Sequence, residues 1–205
     1  MLSEFGIVMP QGIRSISKYM PDILEDAENG LPGTLRKLLE RLNGHLKELG
    51  RQVEELELQI KLWHKGNQAS KKLEAIPGFG SITASAIVAT VGNATEFENG
   101  RQLAAWFGLV LKQYSNGGKQ ILLGISKRGD TYLRTLLIHG ARAVTLFSKN
   151  KIESQGWLYK LITRRNKNIA AVALANKNAR IIWVLLVKGT IFHPDHASAA
   201  YAAAT

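Results

Sequence analysis

The loop around Ser115 combines a hydroxyl group, a pair of glycines and a nearby cation. Ser115 and Asn116 precede Gly117 and Gly118, and Lys119 follows them. Two consecutive glycines allow the backbone amides to form a concave nest for an anion, and a hydroxyl beside such a nest is suited to attack phosphorus. The same residue types are common in ordinary turns. Ser115 is therefore a candidate nucleophile, and a purely structural turn is the alternative interpretation of this loop.

A second glycine-rich turn lies at residues 76–80, where Ile-Pro-Gly-Phe-Gly precedes Ser81. Gly78 and Gly80 allow backbone angles that other residues avoid and let the chain approach another surface closely. The amides of Gly78, Gly80 and Ser81, at the start of a helix, would attract a phosphate. This pattern predicts a helix-hairpin-helix that holds a nucleic-acid backbone without reading bases. A structural connection between two helices is the alternative.

Basic side chains are concentrated in the second half of the chain. Residues 1–100 hold 11 Lys and Arg against 13 Asp and Glu, whereas residues 101–205 hold 16 against 3. A domain so short of carboxylates repels itself unless a polyanion is nearby, and phosphate backbones are the commonest polyanion in a cell. A nucleic-acid partner is thus favoured over an acidic protein or an anionic membrane surface. The candidate nucleic-acid-binding residues are Gly78, Gly80, Ser81, Lys112, Gly117, Gly118, Lys119, Lys127, Arg128, Arg134, Arg164, Arg165 and Lys167.

Acidic residues are too few in this basic half to suggest a metal site. They are Asp130, Glu153 and Asp195, which are scattered along the sequence. Phosphoryl transfer by two metal ions needs several carboxylates at one place. The chain also has no Cys, which excludes disulfides and thiolate metal sites. We therefore expect no metal and no cofactor in this chain.

The overall composition is that of a globular protein. The chain has 205 residues, of which 45% are hydrophobic and 21% are charged, enough to bury one sizeable core. The first ten residues contain Glu4 and no Lys or Arg, which does not fit a secretory signal. No apolar run approaches the roughly 20 residues that a membrane span needs. We expect a cytoplasmic protein with no membrane partner.

A heptad pattern runs along the first half of the chain. Apolar residues recur at alternating spacings of four and three at Leu35, Leu39, Leu42, Leu46, Leu49, Val53, Leu56, Ile60 and Trp63. Such a seam over about four heptads predicts a long helix that pairs with another helix. No second heptad segment is visible in the sequence. This favours a homo-oligomeric coiled coil over a hairpin packed within one chain.

The remaining pattern predicts an all-α fold, in which a long heptad helix precedes a helical domain containing the helix-hairpin-helix. Short apolar periods predict helices near 101–107, 131–147, 156–164 and 169–187, and Leu103, Trp106 and Phe107 are expected to be buried. Residues 109–129 are predicted to be extended or looped. The predicted divisions are an irregular N-terminal segment with short helical pieces (1–31), the coiled-coil helix (32–64), the helical DNA-binding domain (71–192) and a flexible tail (193–205).

Several runs of residues occur together in an order that resembles one protein family. They are Ile-Pro-Gly-Phe-Gly at 76–80, Leu-Ala-Ala-Trp-Phe-Gly-Leu at 103–109, Gly-Gly-Lys at 117–119, Gly-Ile-Ser-Lys-Arg-Gly-Asp at 124–130, Tyr-Leu-Arg at 132–134 and Ala-Leu-Ala-Asn-Lys at 173–177. The chain is similar, over about residues 35–192, to the C-terminal domain of insertion-sequence transposases related to the Piv site-specific invertase. In that family the N-terminal domain is RuvC-like and carries an acidic DEDD tetrad.

The resemblance implies a dimeric or tetrameric recombinase of bacterial DNA that excises and inserts a mobile element, guided in some members by an element-encoded RNA. It also implies that Mg²⁺ bound to the acidic tetrad works with a serine of the C-terminal domain, which attacks DNA. Asn116 occupies the position of that family serine, immediately before Gly117, and Ser115 lies one residue earlier. The RuvC-like half has no counterpart in this sequence. We therefore expect a truncated transposase part that is inactive alone and needs Mg²⁺ only together with the missing domain.

Two functions from different classes fit these features. The first is a nucleoid-associated, DNA-binding part of a transposase that self-associates through the heptad helix. The second is a non-enzymatic interaction protein derived from it, in which the heptad helix carries the function and the basic half binds RNA or an acidic partner.

Overall fold

The described part of the chain is predominantly helical. The computed structural model describes residues 2–116, 119–147 and 156–193, with the backbone alone at 115, 116, 119, 120, 122 and 147. Its elements are α1 (Ile13–Glu25), α2 (Gly33–Gly66), α3 (Gln68–Glu74), α4 (Ser81–Val91), α5 (Gly100–Trp106), β1 (Leu111–Asn116), β2 (Lys119–Ile125), α6 (Thr131–Phe147), α7 (Trp157–Arg164) and α8 (Lys167–Lys188). The predicted all-α class is confirmed, and the chain divides into two compact units, Met1–Gln59 and Ile60–Thr205.

The helix predicted from the heptad pattern is present as one continuous element, α2. It extends over Gly33–Gly66, against the predicted 32–64. On its exposed surface Arg51 donates hydrogen bonds to Glu48, three residues before it, and to Glu55, four residues after it. The hydrogen bond from Arg51 also lowers the pKa of Glu48. Side-chain pairs at these spacings support an exposed helix that has few tertiary contacts of its own.

The first unit contains more regular structure than its sequence pattern suggests. Helix α1 has 13 residues and includes Pro21, where only short helical pieces were predicted. Its apolar side chains Ile16, Met20 and Ile23 lie at spacings of four and three, and they pack in a small cluster with Leu39 of α2. The burial of this stripe offsets the backbone hydrogen bond that a proline removes from a helix.

Arg36 of α2 fixes the end of α1. Its guanidinium donates to the carbonyl oxygens of Leu24 at 2.6 Å and Ile23 at 3.3 Å, and to the side-chain oxygen of Asn29 at 2.9 Å. The last carbonyls of a helix have no partner within the helix, so these bonds satisfy them. Arg36 is thus a structural residue of the first unit.

The second unit has one hydrophobic core built around α8. The small residues Ala171, Ala175 and Ala179 are fully buried on this helix. Side chains without bulk let α8 approach α5 and α6 closely, and both helices pack against it. Larger side chains from α4, α5 and α6, including Ile87, Phe107 and Leu137, fill the same core.

Residues 109–129, predicted to be extended or looped, form a two-stranded antiparallel hairpin. Tyr114 pairs with Ile121, Ser115 with Gln120 and Asn116 with Lys119, and an irregularity in the register falls between Leu111 and Gln113. Leu109 is buried in the core at the base of the hairpin. The strands themselves expose Tyr114 and Ile121 to solvent.

The predicted helices of the C-terminal half are also found. Asp130 accepts a hydrogen bond from the amide of Leu133 at 2.7 Å, so it caps α6 as its residue type suggested. Within the described residues, α8 is a helix long and apolar enough to cross a membrane by length and composition, although Lys177 and Arg180 interrupt it. Its fully buried alanines are those of a core helix. The predicted tail, except for His193, lies outside the described residues.

Candidate nucleic-acid interface

The glycine-rich turn joins α3 to α4 and is held from inside by its apolar residues. Ile76 and Phe79 are buried in the core of the second unit. The amide of Phe79 donates to the carbonyl of Ile76 at 3.0 Å, which closes the turn. Pro77 and Gly80 are exposed. The apolar residues therefore anchor the turn, while its polar backbone faces outward around Pro77 and Gly80.

Gly78 and Gly80 have different roles in this turn. Gly78 has a positive φ of 87°, and an added Cβ would overlap the backbone carbonyl of Gly140 on α6 and lie 2.9 Å from Val144. Gly80 has an extended backbone, and an added Cβ would meet nothing within 4 Å. Gly78 is thus required for packing against α6. Gly80 leaves open space at the start of α4.

The start of α4 resembles an anion-binding site because its first backbone amides lack acceptors within the helix. Gly80 is the N-cap and provides no side-chain hydrogen bond to the first turn. The first amides of any helix lack acceptors within the helix, and they carry a partial positive charge. The amides of Ser81 and the next residues can therefore receive an external acceptor such as a phosphate oxygen.

The hairpin carries the candidate nucleophile and several cations. Ser115 and Asn116 are the last residues of β1, and Lys119 is the first residue of β2. Gly117 and Gly118, which connect the strands, lie outside the described residues. Lys112, Lys127 and Arg128 are exposed. Lys112 thus lies on β1, whereas Lys127 and Arg128 follow the end of β2.

Two glycines fix the base of the hairpin. An added Cβ at Gly108 would overlap the carbonyl of Arg128, and one at Gly129 would overlap the carbonyl of Trp106. Lys127 between them has a positive φ of 55°, which costs energy for a residue with a side chain, and its amide donates to the carbonyl of Gly108 at 3.1 Å. Both chain segments therefore cross in close backbone contact where the hairpin meets the core.

Arg134, a candidate phosphate-binding residue, makes internal contacts instead. Its side chain is buried at 9% exposure. The guanidinium donates to the carbonyls of Phe107 at 3.4 Å and Gly129 at 3.5 Å, and to the hydroxyl of Thr131 at 3.1 Å. These acceptors lie on both sides of the hairpin base, so the described contacts direct this cation toward the protein's own backbone.

The cations near residue 165 form a second surface. Arg164 ends α7, Arg165 follows it and Lys167 begins α8, and all three are exposed. Asn166 between them caps α8 through a hydrogen bond from the amide of Asn168 at 2.8 Å. Helix α7 packs against α8, whereas the hairpin rests on the end of α5 and the start of α6. The sequence alone did not divide the candidate cations between these two places.

Two polar arrangements were not found from the sequence. Lys177 places its ammonium group 5.0 Å from the ring centre of Trp157, and burial, followed by the charge of Arg180, lowers the pKa of Lys177. The imidazole of His64 lies 2.7 Å from the Ser70 hydroxyl and 3.0 Å from the Glu74 carboxylate. Tertiary packing creates both, and no spacing in the sequence indicates them.

The His64 arrangement has the order acid, imidazole, hydroxyl that activates nucleophiles in hydrolases. Ser70 is completely buried, however, and its hydroxyl also lies 3.4 Å from that of Ser85 on α4. A substrate cannot reach it. We interpret this cluster as a structural link between the end of α2, α3 and α4.

Acidic groups are sparse around these surfaces. Among residues 2–116, 119–147 and 156–193, no three His, Cys, Asp or Glu side chains gather where they could hold a metal ion. Asp130, one of the three acids of the basic half, accepts the capping hydrogen bond of α6. The donor set in the described residues therefore does not fit a divalent-cation site.

Comparison with known proteins connects these surfaces to one family. Residues 70–155 match the family described as Transposase IS116/IS110/IS902, a stretch that contains the glycine turn, the hairpin and α6. The chain is 45% identical over 196 residues to the "Probable family 20 transposase" of Pseudomonas aeruginosa, covering 95% of this chain and 58% of that protein. It is 43% identical to the transposase for insertion sequence element IS1111A of Coxiella burnetii, covering 92% and 52%, and 41% identical to that for IS1328 of Yersinia enterocolitica, covering 93% and 57%.

The chain spans between about half and three fifths of the length of these relatives. The matched segment begins in α3 and includes both the turn held by Gly78 and the hairpin with its cationic base. Residues 70–155 of this chain therefore resemble a domain of the IS116/IS110/IS902 transposase family.

Proposed function

We propose that the chain is a DNA-binding part of a transposase that acts in the transposition of an insertion sequence. The observation that carries the proposal is the cationic hairpin. Residues 99–129 contain no Asp or Glu, while Lys112, Lys127 and Arg128 are exposed on or next to its strands. Cations in a segment without acidic residues attract a phosphate backbone. The match to a transposase family makes DNA the expected polyanion.

We propose that the backbone of DNA is held at two places. The first is the start of α4, where Gly80 leaves space above amides that lack a helical partner. The second is the hairpin base, where Lys127 and Arg128 adjoin a crossing of two backbone segments. Contacts of this kind position DNA without reading its sequence. Arg164, Arg165 and Lys167 form a third contact surface in this proposal.

The salt dependence of DNA binding tests this proposal. We expect the purified chain to bind duplex DNA with an affinity that falls steeply with salt. The slope of log K against log salt should decrease by about 0.9 for each phosphate contact removed. Replacing Lys112, Lys127 and Arg128 together by Gln should therefore make the slope shallower by about 2.7. Fluorescence anisotropy of a labelled duplex over a salt series measures both values.

A matched control removes the same charge elsewhere. Lys37, Arg41 and Lys47 are exposed on the outer face of α2. Replacing these three by Gln changes the net charge equally and should leave the slope unchanged. A salt-independent interaction of the parent chain with DNA, or equal slopes in both triple variants, would contradict the proposed interface.

The hairpin also carries a candidate nucleophile. We retain Ser115 as the candidate nucleophile, although Asn116 occupies the position of the serine in related transposases. Because the described acids do not fit a Mg²⁺ site, we propose that any step requiring Mg²⁺ uses carboxylates from a RuvC-like domain outside these residues. The chain alone should form no covalent adduct with DNA that survives denaturation. A guide RNA is a further polyanion that the same cations would accept.

We also propose that the chain self-associates through α2. Leu42, Leu49, Val53 and Leu56 lie on the heptad seam, and their side chains are exposed. Exposed apolar side chains at spacings of four and three are stabilised when a second helix covers them. A homo-oligomeric coiled coil covers this seam.

The alternative function is a non-enzymatic interaction protein whose active element is α2. The exposed heptad seam fits this alternative function if a partner protein covers α2 in place of a second copy of the chain. A variant with a disrupted seam separates the two functions. It would abolish an interaction carried by α2, whereas DNA binding by the second unit would persist in a weaker, monomeric form.

A further inference from the structure

The buried side chain of Arg134 contacts the chain both where the hairpin that carries Ser115 leaves the core and where it returns. The hairpin leaves after Phe107, at the end of α5, and returns through Gly129 before α6 begins. Arg134, one turn into α6, donates from a single nitrogen to the carbonyls of both residues. The same guanidinium holds Thr131, the first residue of α6, through its second nitrogen.

These three acceptors belong to two chain segments, since Phe107 follows α5 and both Gly129 and Thr131 lie where α6 begins. A guanidinium presents several donors in a rigid plane, so it can fix acceptors relative to one another in a way that a flexible ammonium group cannot. Hydrogen bonds from a charged donor are also stronger than those between neutral groups. The distances of 3.1–3.5 Å indicate one cation shared among several acceptors.

In the described part of the chain, Arg134 donates to two backbone carbonyls and one hydroxyl. Asp130 is the acid nearest in sequence, and its carboxylate accepts the amide of Leu133. The side chain is 9% exposed, which leaves little surface for an external phosphate. Arg134 therefore hydrogen-bonds to main-chain carbonyls at the base of the hairpin.

We propose that Arg134 is a positioning residue, which locks the base of the β1–β2 hairpin to α5 and α6 and thereby sets where the residue pair Ser115 and Asn116 is presented to DNA. The lock acts together with the close backbone crossings at Gly108 and Gly129. Those crossings bring the two segments into contact, and the guanidinium fixes their position relative to α6. The functional part of this proposal rests on the DNA-binding role proposed above, whereas the lock itself does not.

The variant Arg134→Gln in the full chain tests the lock, and Arg142→Gln is its control. Arg142 lies on the same helix and is exposed, so both variants lose one positive charge. We expect hydrogen–deuterium exchange at the amides of Ser126 and Lys127 to become about tenfold faster in Arg134→Gln, because a charge-assisted bond at the hairpin base is lost. Exchange within α8 should stay at the parent rate in both variants.

A second, milder variant guards against misfolding. Thr131→Val removes only the hydroxyl acceptor and should accelerate exchange at the same two amides by less than Arg134→Gln does. Uniform acceleration over α8 and the hairpin in either variant would overturn the lock and leave Arg134 with a general stabilising role. Unchanged exchange at Ser126 and Lys127 in Arg134→Gln would overturn it as well.

DNA binding distinguishes positioning from direct contact. We expect Arg134→Gln to weaken DNA binding more than Arg142→Gln does, while its slope of log K against log salt stays that of the parent. A slope reduced by about 0.9 would show that Arg134 neutralises a phosphate itself, and would overturn positioning. If the parent chain binds no DNA, the proposed function fails, and the exchange experiment still decides the lock.

Discussion

Replacing Leu42 and Leu49 of α2 by Glu should convert the chain from an oligomer into a monomer. Both side chains lie on the heptad seam and are 53% and 44% exposed in the single chain. Burying a leucine contributes about 1.5–3 kcal/mol, and a dimer would bury each of these residues twice. Since each side chain is already about half buried, the four burials contribute about 3–6 kcal/mol, so the dissociation constant should rise by about 10²–10⁴. Sedimentation equilibrium over a concentration series measures the change.

The control for this prediction lies on the same helix. Leu58 and Leu62 are 58% and 59% exposed, but they fall outside the heptad seam. Replacing them by Glu should leave the oligomer intact. Dissociation by Leu58→Glu with Leu62→Glu, or a parent chain that is monomeric at all concentrations, would exclude a coiled coil along the predicted seam. The monomeric variant should still bind DNA, with lower apparent affinity because two linked sites bind better than one.

Replacing Gly78 by Ala should destabilise the second unit strongly, whereas Gly80→Ala should not. The methyl group at position 78 would overlap the Gly140 carbonyl, and the backbone there has a positive φ. Overpacking of this kind costs about 1–3 kcal/mol, and the left-handed conformation adds about 1 kcal/mol. For a protein of this size the two effects together lower Tm by roughly 5–15 °C. Thermal unfolding followed by circular dichroism measures the difference.

Gly80→Ala serves as the control because an added methyl group meets nothing at that position. It should unfold within about 1 kcal/mol of the parent, since helix N-caps tolerate such changes at modest cost. Equal stability of the two variants would show that Gly78 and Gly140 are not in close contact. Weaker DNA binding by a stable Gly80→Ala variant would separately support an approach of phosphate to the start of α4.

Long amphipathic helices were predictable from local spacing, because their apolar residues recur at intervals of three and four along one face. Helix α2 and helix α6 begin and end within two residues of their predicted bounds. For α1 only short helical pieces were predicted, because a proline such as Pro21 commonly ends a helix and the packing of Met20 against Leu39 is not visible in the sequence. Trp106 was expected in the core and is 37% exposed, packed edge-on against Phe97 and Phe107.

The hairpin shows why the candidate site was only partly predictable. The strand Leu111–Asn116 lacks the regular apolar alternation that indicates a strand, and its structure comes from pairing with Lys119–Ile125. The cations Lys127 and Arg128 follow the end of β2 and are exposed. Arg134 was grouped with them because composition does not reveal that a guanidinium finds carbonyl acceptors in its own chain.

The backbone crossings at Gly108 and Gly129 have a consequence for how this protein can change over evolution. Between Val110 and Ile125, which both pack against the core, the strands contact mainly each other, whereas a shift of the chain at the base would disturb α5 and α6. Natural variation in length should therefore accumulate at the far end of the hairpin and avoid its base. Hairpins from homologous proteins could accordingly be exchanged as cassettes joined between Val110 and Ile125, which leaves the core contacts of the hairpin base in place.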